Sequence, residues 1–221
     1  MPRFLNLWIG LETLSRSNSR RDAIDQIEDL APPLLTRRYA YRLLRNFLGD
    51  VMRADIDVST LGLHETALDA RLRELLLLLQ SPAGVKTMVS AFHNVPLLQF
   101  RVLDYSALLG TGRAAAAALH DRRKRLSWHL RRMYRVRNRI VHNADVNAPL
   151  HLLNNHLQSY CRVAINELVS LILRCDPPVS IDSILQGITD GMRVQSELLA
   201  RRPARYPPEL ILDSPVSSVN W

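Results

Sequence analysis

The sequence predicts an all-α fold, a helical bundle with an additional C-terminal helix. Three observations predict it. Apolar residues recur at helical spacing along most of the chain. Glycine is scarce, at 8 of 221 residues. No two runs alternate with the period of a strand pair.

The elements follow in order. Phe4 to Leu14 reads as a first helix with a wide apolar arc, and a polar linker follows at 15–20. Ser19 can cap a short helix through Leu30, which Pro32 and Pro33 end. Thr36 to about Ala54 is a third run carrying Tyr39, Leu43, Leu44 and Phe47. Residues 55–66 read as a loop. Leu68 to Gln80 holds five consecutive leucines, Leu75 to Leu79, and its length and flanking charges make it a buried helix rather than a strand. Ser81 and Pro82 break it, and shorter helices cover 84–92 and 96–109. A long basic helix runs from about 113 to 142, with a loop to Asn147. Residues 150–174 form another helix, and Pro177 and Pro178 separate it from a last one over about 180–202. The tail from Pro203 is proline-rich and apolar.

Composition bounds the function. At 47% apolar and 23% charged residues the chain reads as globular, and it is long enough to bury about 70% of its unfolded surface without a disulfide or metal staple. No run of 18 apolar residues offers a membrane span. Arg3 and a short apolar run broken by Glu12 do not make a signal peptide. The two cysteines, Cys161 and Cys175, give neither zinc spacing nor a disulfide framework, so a reducing cytoplasm is expected. No His, Cys or carboxylate spacing suggests a metal site, and no cofactor is expected. Gly110 to Gly112 is a turn that lacks the Lys and Ser or Thr of a phosphate loop.

Charge is distributed unevenly. The net charge is +8, and the bases are 27 Arg to 2 Lys. Residues 113–139 hold ten Arg or Lys and one acid, Asp121, so nearly all the positive field comes from this segment. Such a segment steers a polyanion, and Arg suits bidentate phosphate contacts. The same run, Arg122 to Arg125 with Arg131 and Arg132, also reads as a solvated helical face.

On that helix Leu126, Leu130, Met133, Ile140 and Val141 fall in one apolar stripe at about 100° per residue, and Arg137 falls in the middle of it. A guanidinium on a core-facing seam is costly unless a partner satisfies it. The first helix offers one: Glu12 lies inside its apolar arc, four residues after Trp8. The two are expected to meet as a pair, either fixing the register of two helices or serving catalysis. Asn138 and His142, four apart, share a face flanked by Arg131 and Arg135. Arg to neutralise a phosphate, His to move a proton and Asn to orient either partner suit phosphodiester chemistry. No second acid or base lies in the segment, which favours a site shared between two subunits or a ribose 2′-OH as internal nucleophile. Elsewhere, His120 and His129 sit on the basic helix, Arg123 and His129 satisfy a looser spacing, and His151 and His156 can approach the cleft. The pair Asn154 and Asn155 reads as solvated, and His64 and His93 read as ordinary loop or surface residues.

The segment from Arg137 through Asn138 to His142 resembles the Arg-x4-His motif of the HEPN superfamily. The bare motif arises by chance about 0.8 times in this composition, and the version with Asn after the Arg about 0.04 times, so the Asn carries the resemblance. The opening Phe4 to Glu12 also looks like the first helix of the ApeA-like HEPN branch. The resemblance implies an HEPN-type domain over 1–175; the sequence beyond it reads as a C-terminal helix at 176–205 packing on that domain and a proline-rich tail at 206–221. It implies a metal-independent RNA endonuclease that works as a homodimer, with two motifs lining one cleft. Carried over, Arg137 and His142 are catalytic and Asn138 assists, with Glu12, the acidic residue of the first helix, in support; on the basic helix Arg131, Arg135 and Arg139 are expected to bind RNA. The 2′-OH attacks the adjacent phosphate, leaving a 2′,3′-cyclic phosphate and a 5′-OH. Members act as toxins or abortive-infection effectors in antiviral defence, often with a sensor domain or antitoxin as partner. The Tyr that some carry two residues after the His is here Ala144, which puts regulation through that residue in doubt. The competing readings are a non-catalytic HEPN-like module for dimerisation or RNA binding, and a structural helical adaptor.

Overall fold

The structure is a computed structural model that describes residues 2–16, 22–143, 150–175, 180–202 and 204–212. Among these it has ten α-helices and no strand: α1 (Pro2–Ser15), α2 (Ala23–Arg37), α3 (Tyr39–Arg53), α4 (Leu68–Leu79), α5 (Pro82–Ala91), α6 (Pro96–Leu109), α7 (Gly112–Asn143), α8 (Leu150–Ile172), α9 (Ile181–Ala200) and α10 (Glu209–Leu212). The all-α expectation holds. No helix among the described residues is long and apolar enough to cross a membrane.

The chain divides into two compact units. One takes the described residues within 1–37 and 121–190, the other those within 38–120 and 191–212. The linear boundaries expected at 175 and 205 do not draw this division. A length argument explains why: α7 has 32 residues, about 48 Å of helix, more than one core of this size uses.

The first unit is built on α1, α2, α8 and the stretch of α7 after His120. Phe4, Trp8 and Leu11 recur at i, i+4 and i+7, so α1 turns one fully buried ridge inward. It meets Ile27, Ala31 and Leu35 of α2, Leu126, Leu130, Met133, Val136 and Ile140 of α7, and Leu153, Leu157 and Cys161 of α8. Each such side chain contributes about 1.5–3 kcal/mol of burial. Burial raises the Cys161 thiol above its usual pKa, so this cysteine behaves as a small core residue.

Three expectations need correction here. Pro32 and Pro33 do not end α2, which continues to Arg37. Each proline removes an amide donor and costs about 3 kcal/mol in a helix interior. Both are buried, and Ile27, Leu30, Ala31, Leu34 and Leu35 around them are buried too, so packing outweighs the lost bonds. The third helix accordingly starts at Tyr39 rather than Thr36. Val141 is not in the α7 seam: it is 50% exposed, and Val136 takes the inward place. The expected Ser19 cap lies outside the described residues.

The second unit gathers α3 to α6, the start of α7, the end of α9 and α10. Phe47 packs edge-on against Phe92 and Tyr105, with centroids 6.0 and 5.6 Å away. In α4, Leu72, Leu75, Leu76 and Leu79 are buried while Leu77 is exposed, the split a helix imposes on a leucine run. Ser81 caps α5, its Oγ accepting from Gly84 N, and Pro82 and Pro96 stand at first-turn positions. Residues 58–61, expected as loop, make a 3-10 turn capped by Asp57, whose carboxyl is held below its usual pKa by Ser59. Gly112 opens α7 so near the backbone of residues 199–202 that a Cβ would lie 2.5 Å from the carbonyl oxygens of Leu199 and Arg202. The described part of the tail packs on this unit and includes α10. Tyr206, Ile211 and Leu212 are buried, and the Tyr206 hydroxyl donates to Leu109 O at 2.8 Å.

Candidate functional site

The site candidates lie in the first unit, on α1 and on α7 beyond His120. Inward residues Leu126, Leu130, Met133, Val136 and Ile140 fix the rotation of α7. Arg137 then falls at the edge of the seam rather than in its centre, with its side chain 26% exposed. One turn inward on α1, Trp8 Nε1 donates to Glu12 Oε1 at 2.6 Å. The same carboxylate oxygen lies 3.7 Å from Nη2 of Arg137. The Trp8 indole packs against Tyr134 with centroids 5.9 Å apart. A buried indole N–H needs an acceptor, so Trp8 orients the carboxylate and the carboxylate orients the guanidinium. The other arm of Arg137, Nη1, donates to Asn138 Oδ1 at 3.2 Å. Glu12 also lines an open cleft of about 390 Å³ with Ile9, Thr13, Arg16, Ala23 and Gln26.

The remaining motif residues face outward. Asn138 is half-buried and His142 exposed. Because α7 stays helical to Asn143, His142 keeps its place in the last turn. At about 100° per residue it stands about 140° around the axis from Arg137. The structure thus brings together Glu12, Arg137 and Asn138, and sets His142 on the solvent row with Asn138. Arg135 and Arg139 are exposed on the same end of the helix. Arg131 is engaged: its Nε and Nη2 donate to both oxygens of Glu28 at 2.6 and 2.7 Å, with Asp25 at 3.9 Å. Those hydrogen bonds hold its pKa above the usual arginine value. Ala144 and the loop after it lie outside the described residues.

Two features escaped the sequence reading. Lys124, Trp128, Arg131, Arg135, Asn138 and His142 recur at i+4, i+3, i+4, i+3, i+4, so they form one row along α7. Trp128 is 64% exposed on it. An exposed indole between cations offers a flat apolar face beside positive charge. Its signal was the helical spacing that links it to His142 through Arg131, Arg135 and Asn138. The second is a cluster: His129 Nδ1 lies 2.8 Å from the Tyr160 hydroxyl, and the His129 and His156 rings are 5.1 Å apart, edge to face. His156 and Tyr160 stand four apart on α8, which is how the sequence could have shown them. Among the described residues no three His, Cys, Asp or Glu side chains gather so as to hold a metal ion.

No family model matches the chain, and no curated protein and no solved structure matches it either.

Proposed function

We propose that this protein is a metal-independent RNA endonuclease of the HEPN type, working as a homodimer with a composite site. One observation carries the reading: a solvent-facing row on the most basic helix begins with Lys124 and Trp128 and ends on Asn138 and His142, with Arg137 beside it. The row supplies cations for the RNA backbone and an indole face for a base. At its end stand the groups that phosphodiester cleavage uses. Arg137 offsets charge on the phosphate, Asn138 orients it, and His142 moves a proton. In the reaction the ribose 2′-oxygen bonds to phosphorus and loses its proton. The bond from phosphorus to the 5′-oxygen breaks, and that oxygen leaves with a proton. A 2′,3′-cyclic phosphate and a 5′-OH result.

Glu12 is a positioning residue in this scheme, since it reaches the reacting atoms only through Arg137. The biological role we infer is that of a toxin or abortive-infection effector in the cytoplasm, governed by a sensor domain or antitoxin. A second reading draws support from Arg137 and Arg131, whose guanidinium groups already meet Glu12 and Glu28. In that reading the bundle binds RNA or dimerises without cutting. End-group analysis of RNA incubated with the protein in EDTA separates the two. Cyclic phosphate at new 3′ ends supports the nuclease, and intact RNA that is nevertheless bound supports the module.

A further inference from the structure

We propose that His129, His156 and Tyr160 form a binding site for a phosphate-class oxyanion, a site completed only when His129 is doubly protonated. It uses none of the motif residues and stands apart from the nuclease reading.

The geometry supplies the donors. His129 lies on α7 and His156 and Tyr160 lie one turn apart on α8, with the two imidazoles edge to face. The groups that bear on His129 are His156 of α8 and Arg132 and Arg122 of its own helix, all cationic or able to become so. Arg122 also bears on Tyr160. Burial disfavours the charged ring, and the three basic side chains beside it add repulsion, so the His129 pKa lies below its usual value. The Tyr160 phenol is pushed the other way and keeps its proton.

In the neutral tautomer that leaves Nδ1 of His129 bare, the Tyr160 O–H donates to it. When a proton arrives at Nδ1, the bond reverses: Nδ1–H donates to the phenol oxygen, and the phenol proton becomes available to a ligand. Nε2–H of His129 is then a charged donor as well. An oxyanion relieves the repulsion among the imidazoles and guanidinium groups, so binding takes up a proton. A free phosphate group and an RNA backbone phosphate share this chemistry.

The test is NMR titration of the His129 and His156 ring resonances with sulfate, whose charge is constant in this range, then with inorganic phosphate and with a short single-stranded RNA. Chloride at matched ionic strength is the control. The expected result is that sulfate moves both sets of resonances and binds about tenfold more tightly at about pH 5.5 than at about pH 7.5. His129→Gln, which keeps a partner for Tyr160, should lessen the pH dependence to what His156 alone supplies, and Tyr160→Phe should weaken binding with unchanged helicity. RNA acting at lower concentration than phosphate assigns the site to backbone phosphate, and the reverse order assigns it to a free phosphate group. Unmoved imidazole resonances, or sulfate affinity independent of pH in the wild type, would overturn the proposal. Neither readout requires RNA cleavage, so its failure is distinguishable from that of the nuclease reading.

Discussion

Glu12 and Arg137 stand 3.7 Å apart, a carboxylate on α1 facing a guanidinium on α7, and the carboxylate is itself held by the Trp8 indole. Both side chains are about one-quarter exposed, so water screens the pair and its own stabilisation is small, about 0.2–1 kcal/mol. A double-mutant cycle of Glu12→Gln and Arg137→Met, read by urea denaturation, should give a coupling within that range. Zero coupling would mean that the carboxylate does not hold the arginine.

Arg37 and Glu167 are the opposite case. They meet at 2.8 Å with side chains 2% and 11% exposed. Removing one partner leaves a buried charge, so Arg37→Met or Glu167→Leu alone should cost about 3–5 kcal/mol. The double variant should recover most of that loss. A double variant no more stable than the singles would contradict the reading.

His129 makes stability depend on pH. Its folded-state pKa lies below the ordinary 6.5, so the unfolded chain binds the proton more readily. Its contribution is intact above about pH 6.5 and is lost as pH falls from there through the folded-state value. Thermal denaturation across that window should show the slope in the wild type and a flatter one in His129→Gln. Equal slopes would remove His129 as the cause.

RNA binding through the α7 row should follow salt. Arg135→Ala should reduce the slope of log affinity against log salt by about 0.7, as expected for one lost phosphate contact on a single strand. Trp128→Ala should weaken binding by about 1–3 kcal/mol with the slope unchanged, because stacking releases no counterion. If Trp128→Ala changed nothing, the row would be a solvated face.

The fold was legible where periodicity decides it. The apolar ridge of α1, the leucine run of α4 and the long α7 all read directly from spacing. Pro32 and Pro33 misled because local propensity favours a break and only the surrounding burial overrides it. The interleaved units were hidden because a helix gives no sign of passing from one core to another. At the site, one residue of seam offset mattered: Val136 rather than Val141 faces inward, which moves Arg137 to the edge. Glu12 was visible as a carboxylate in an apolar arc. Glu167, beside Ala164 and Leu168, obeys the same rule and passed unnoticed, as did Trp128 and the His156 and Tyr160 pair.

The most direct test is cleavage of total RNA and tRNA in EDTA by wild type and His142→Ala, at equal helicity and at concentrations where the protein is dimeric. His142 is exposed in the last turn of α7, so its removal should leave the core undisturbed. The account predicts metal-free cutting by the wild type and its loss in the variant, with RNA binding retained. Equal cutting by both proteins, or none by either while RNA is bound, would contradict it.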